Sequence, residues 1–109
     1  MKIKASSPCR KFRDATPEEQ IAKLFEELSE IEEALNDYRQ HKVDSLELLL
    51  MEIIDLKACC NTFIYQLVGE HRPYRQGILK AAKEKVIVKN MARGYYFTPE
   101  QIDALNTNE

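Results

Sequence analysis

The stretch from Leu46 to Val68 is apolar on nearly every side of a helix. Leu46, Leu48, Leu49, Leu50, Met51, Ile53, Ile54 and Leu56 come almost unbroken, and Phe63, Ile64, Leu67 and Val68 complete the series. A helix that is apolar all round has to be covered all round. The chain has 109 residues, one domain near the small end of what builds its own core. One neighbouring helix cannot cover this surface, so the sequence predicts a homo-oligomer, dimer or tetramer, with this helix central to its interface. Glu52, Asp55 and Lys57 interrupt the run, which argues against a membrane span.

The rest of the chain also reads as helix. Thr16-Pro17-Glu18-Glu19 is a start signal, with Thr16 as cap, Pro17 in the first turn and Glu19 closing a capping box. Ile21, Leu24, Leu28, Ile31, Leu35 and Tyr38 follow at steps of three and four. They predict one apolar stripe on a helix ending near Tyr38. The short polar link Arg39 to Val43 makes the next helix an antiparallel neighbour, with Asp44 as its expected cap. Gly69 and Arg72-Pro73 end that second helix. A third is predicted from about Tyr74 to Arg93, with Ile78, Leu79, Ala82, Val86 and Met91 as its apolar contacts and Gly94 as its stop. Thr98-Pro99-Glu100-Gln101 repeats the start signal and opens a short last helix through Leu105. Lysines flank Val86-Ile87-Val88 and helical spacing runs through it, so no strand is predicted. The expected fold is all-α: a small antiparallel bundle of three main helices plus a short C-terminal helix, completed by oligomerisation. Residues 1–15 are expected to be a flexible basic lead-in, and 16–109 the domain.

Charge is unevenly spread. Glu18 to Asp37 is mostly acidic, whereas Arg72, Arg75, Lys80, Lys83, Lys85, Lys89 and Arg93 face a lone Glu84 in the third helix. The formal net charge of -2 argues against nucleic acid as a partner. Three cysteines, Cys9, Cys59 and Cys60, with two adjacent, make neither a disulfide framework nor a zinc pattern. They suggest a reducing, cytoplasmic setting. No signal peptide is evident at the N-terminus.

Two acidic groups carry the chemistry. At about 100° per residue, Glu27 falls at the edge of the apolar stripe, with Glu30 one sidestep further round and Glu26 beyond it. In the second helix Glu52 and Asp55 share their side with Leu48, Met51, Leu56 and Cys59, opposite Lys57 and Asn61. Both are therefore expected to face inward. A buried carboxylate without a partner costs several kcal/mol, and two acidic pairs face to face repel. A hard divalent cation removes the conflict, and oxygen-only ligands suit Mg²⁺ or Mn²⁺. A basic side chain from the third helix would neutralise the acids without metal. Glu26, Glu32 and Glu33 taken alone read as a solvated face. A di-iron bundle needs Glu-x-x-His motifs, and no histidine lies near these acids.

Glu26-Glu27-Leu28-Ser29-Glu30 followed one helix later by Glu52-Ile53-Ile54-Asp55 resembles the motif pair of the all-α nucleotide pyrophosphohydrolases, and specifically their MazG-like branch. The resemblance runs from about Lys23 to Tyr95. It implies an oligomeric helical bundle that hydrolyses a nucleoside or deoxynucleoside triphosphate to the monophosphate and pyrophosphate with Mg²⁺. It implies metal ligands at Glu27, Glu30, Glu52 and Asp55, with Glu26 as a second-metal ligand or orienting the attacking water. Lys89-Asn90-Met91-Ala92-Arg93-Gly94-Tyr95 looks like the family's substrate-contacting segment, which implies substrate binding by Asn90, Arg93, Tyr95 and either Lys85 or Lys89. The family often has a lysine four residues before the asparagine, where this chain has Val86. Phosphoribosyl-ATP pyrophosphohydrolase activity and a non-catalytic helical interaction module on the same scaffold are the alternatives.

Overall fold

A computed structural model describes residues 15–69 and 72–107, and the expected lead-in lies outside them apart from Ala15. The described residues form four α-helices: α1 Pro17–Arg39, α2 Ser45–Val68, α3 Pro73–Ala92 and α4 Pro99–Thr107. Among them there is no strand, and no helix is long and apolar enough to cross a membrane. The chain divides into two compact units, Met1–Glu70 and His71–Glu109.

In the first unit α1 and α2 pack as a hairpin. The α1 start follows its sequence signal. Thr16 Oγ1 accepts from the Glu19 N–H at 3.1 Å, and the Thr16 N–H donates to Glu19 Oε1 at 3.3 Å, so two backbone or cap donors are satisfied reciprocally. The α2 start does not follow its signal. Asp44 makes no side-chain cap bond and adopts φ 60°, ψ 13°. The turn is short, and His41 also has a positive φ of 56°. Reversing the chain here requires left-handed residues, a conformation aspartate tolerates better than most. Asp44 shapes the turn and cannot also reach the helix N–H groups. The α2 end is as expected: Gly69 takes φ 74° and its N–H donates to Tyr65 O at 2.8 Å.

The seam of the hairpin is unusually polar. The buried residues of α1 are Gln20 and Glu27, and Ser45 and Thr62 are buried in α2 beside Leu49, Ala58 and Cys59. Ile21, Leu28 and Tyr38 of the expected apolar stripe are exposed by 41 to 46%. α1 is therefore turned about its own axis so that the edge of the stripe, with Glu27, faces α2. The rest of the stripe lies to one side. Most of the α2 apolar run is also exposed, including Leu46, Leu50, Ile53 and Ile64.

In the second unit α3 ends near Gly94, which takes φ 70° and donates its N–H to Met91 O. The α4 start repeats the reciprocal cap, Gln101 N–H to Thr98 Oγ1 at 3.2 Å and Thr98 N–H to Gln101 Oε1 at 2.8 Å. No α3 residue is buried. The expected contacts Ile78, Val86 and Met91 are exposed and only Leu79 is partly covered. In α4, Ile102 and Leu105 are exposed as well.

Candidate metal centre

The antiparallel hairpin brings the middle of α1 against the middle of α2. Glu27, Glu52 and Asp55 each place a carboxylate oxygen within 4.8 Å of the others. Glu27 is the deepest, with 6% of its surface exposed. Glu52 is half-buried, and Asp55 lies exposed at the rim rather than inward as expected. Two oxygens stand out. Glu27 Oε2 and Glu52 Oε2 are both shut off from solvent and have no hydrogen-bond partner. A buried acceptor left unpaired costs about 1–3 kcal/mol, more when it is charged, so two at one point need an account.

Glu30 joins from the same side of α1. Its carboxyl is held above its ordinary value of 4.5, first by a hydrogen bond shared with Glu52, then by repulsion from the Glu27 charge, with burial and the Glu52 charge adding to it. The nearness of Glu52 and Glu27 thus disfavours the charged form of Glu30.

One cation sits beside it. Lys23 Nζ lies 3.0 Å from Glu27 Oε1 and 3.4 Å from Glu26 Oε1. The bond to Glu27 is the first cause raising the lysine above 10.5, with burial working the other way. Glu26 itself is exposed and reaches the cluster only through this shared lysine. Lys23 was not among the sequence candidates, although its place one turn before Glu27 is the spacing of a helical ion pair. Gln20, 2% exposed and one further turn back, carried no such signal.

Of the four carboxylates expected as metal ligands, Glu27, Glu52 and Asp55 come within ligand distance of one another, and Glu30 lies near enough for Glu52 and Glu27 to raise its carboxyl. The donor set suits a hard divalent ion. The two buried lone oxygens, one on each helix, are where such an ion would supply the missing partner. Lys23, from α1 itself, neutralises one oxygen of Glu27 and leaves the other without a partner.

The α3 candidates form a group of their own in the second unit. Asn90 Nδ2 donates to Tyr96 Oη at 3.4 Å, and the Arg93 guanidinium lies 5.9 Å from the Tyr95 ring centroid, a weak cation–π contact at an exposed site. Lys85 and Lys89 are exposed on the same helix. Comparisons of this chain with protein-family models, with curated proteins and with solved structures find no match.

Proposed function

We propose that this chain is a divalent-metal-dependent nucleotide pyrophosphohydrolase, acting on a nucleoside or deoxynucleoside triphosphate. The observation that carries the reading is the meeting of Glu27, Glu52 and Asp55 within 4.8 Å, with an unpartnered buried oxygen on each helix. The Glu26–Glu30 and Glu52–Asp55 motifs and their resemblance to the MazG-like branch supply the reaction class.

In this reading Glu27, Glu30, Glu52 and Asp55 would hold Mg²⁺, or Mn²⁺ in its place, and the ion would supply neutralisation of phosphate oxygens and a lowered pKa of water. Glu26 is exposed and shares Lys23 with Glu27; in this reading it orients the attacking water and accepts its proton. The water oxygen bonds to the α-phosphorus, the bond from that phosphorus to the bridging oxygen breaks, and pyrophosphate leaves with the electron pair. Lys23 holds Glu27 in place from one side. The resemblance alone assigns the phosphate and sugar contacts to Lys85 or Lys89, with Asn90, Arg93 and Tyr95. The requirement for charge neutralisation and alignment, with little covalent work for the protein, is that of phosphoryl transfer generally.

The test is a panel of NTPs and dNTPs incubated with the protein and Mg²⁺, then with excess chelator, following pyrophosphate and monophosphate. Release that needs the metal and is lost in folded Glu52→Gln supports the reading. Folded protein that releases nothing from any nucleotide overturns it. Activity confined to phosphoribosyl-ATP would move the substrate and keep the chemistry. Divalent binding without any hydrolysis would leave a helical interaction module.

A further inference from the structure

We propose that α3 carries a surface for single-stranded nucleic acid: a row of cations along one side of the helix, with an exposed tyrosine near each end. This inference does not rest on the hydrolase reading.

The row follows from helical spacing. At about 100° per residue, Arg75, Ile78, Ala82, Lys85, Lys89 and Arg93 fall within about 80° of one another, along about 27 Å of helix axis. Lys85, Lys89 and Arg93 come at steps of four, about 6 Å apart, close to the separation of successive phosphates in an extended strand. Glu84 is the sole acid between Arg72 and Arg93, and it lies about 100° or more from each of the four cations. Among the described residues Lys80, Lys83, Lys85 and Lys89 make no ion pair. The formal charge of -2 belongs to the whole chain and conceals one acidic helix and one basic one. A strand of phosphates is repelled by α1 and attracted to α3.

The aromatic residues select the kind of polyanion. Tyr74, next to Arg75, is 83% exposed, and Tyr95, just past Arg93, is 66% exposed. The Arg93 guanidinium lies 5.9 Å from the Tyr95 ring centroid. Cations that take phosphates beside rings that stack on bases are the means by which proteins hold single strands of any sequence. A duplex keeps its bases stacked on one another and has none to offer. An acidic peptide would use the cations and leave the rings idle. A lipid surface fits no better, because Lys80 and Glu84 stand among the exposed Ile87, Val88 and Met91, and α3 has no continuous apolar face to bury. Lys85, Lys89, Arg93 and Tyr95 are also residues that the resemblance assigns to a mononucleotide, so the test has to separate a strand from a mononucleotide.

Fluorescence anisotropy of a labelled oligothymidylate tests the assignment, in chelator so that no metal-dependent chemistry contributes. The full chain should bind it, with a log–log salt slope of about -3, from four phosphates at about -0.7 each. Lys89→Glu should cost several times the affinity that Lys80→Glu costs, although both change the charge equally, because Lys80 lies on the far side of α3 from the row. Tyr74→Ala should weaken binding by about five-fold or more, the low end for one stacked base. Unlabelled strand should displace the probe far better than dTTP or polyglutamate at equal charge concentration. No binding at low salt overturns the proposal, as do equal losses in the two lysine variants or full affinity in both Tyr74→Ala and Tyr95→Ala. No α3 residue is buried, so these variants should fold. Should one not fold, the competition on wild-type protein decides: dTTP or polyglutamate displacing the probe as well as the strand does overturns the proposal.

Discussion

Lys23 Nζ holds Glu27 Oε1 at 3.0 Å, and the other oxygen of the same carboxylate is buried with no partner. The lysine fixes the side chain without satisfying it. Replacing Glu27 with glutamine removes the charge and keeps the shape. Glu27→Gln should lower apparent Mg²⁺ affinity by about 10–100-fold or more, the range seen when groups around a metal are removed, and abolish metal-dependent pyrophosphate release. The folded state should survive, since the substitution relieves repulsion with Glu30 and Glu52. Calorimetric titration with Mg²⁺ and a urea melt of the same sample measure both.

Glu30 gives a pH dependence with a definite sign. Its folded carboxyl is raised above 4.5 by the bond shared with Glu52 and the charge of Glu27. A raised acid binds its proton more tightly in the folded state, so it stabilises below its unfolded value. That stabilisation is lost as the pH rises through the higher folded value. In chelator, the urea midpoint should therefore fall as pH climbs upward from 4.5, and Glu30→Gln should flatten that part of the curve. Added Mg²⁺ should reverse the trend, because the ion needs the deprotonated form.

Glu26 separates from its neighbours by exposure. It shares Lys23 with Glu27 and takes no place among the ligand-distance oxygens. Glu26→Gln should leave Mg²⁺ binding within a few-fold of wild type and cut kcat by about 10²-fold or more, the usual worth of a positioned base. Equal loss of binding in Glu26→Gln and Glu52→Gln would place Glu26 among the ligands instead.

The two hairpin starts differ in what their caps do. Thr16→Ala breaks the reciprocal cap of α1 and should cost about 1 kcal/mol. Asp44 makes no cap bond and sits at φ 60°, where a side chain is strained by about 1–2 kcal/mol. Asp44→Gly should therefore be neutral or stabilising, in contrast to loss of a working cap. Parallel urea melts compare them.

The sequence by itself determined the four helices and most of their ends, because capping and stopping are local. Thr16 with Glu19, Thr98 with Gln101, and the glycines 69 and 94 need only their near neighbours in the chain. It also determined that Glu27 would meet Glu52 and Asp55, since a short link forces two helices antiparallel and aligns their middles. Tertiary packing decided how far α1 turns about its axis. The 3.6-residue repeat shows where the apolar stripe is, and its centre is the natural guess for the contact. In the folded hairpin the edge of the stripe makes the contact, placing Glu27 and Gln20 in the seam and Ile21 and Leu28 partly in water. Asp44 went the same way: its cap signal is local, but the turn's need for a left-handed residue outweighed it. Rotation and turn shape depend on which surfaces two elements share, and that is a property of the pair, absent from either helix alone.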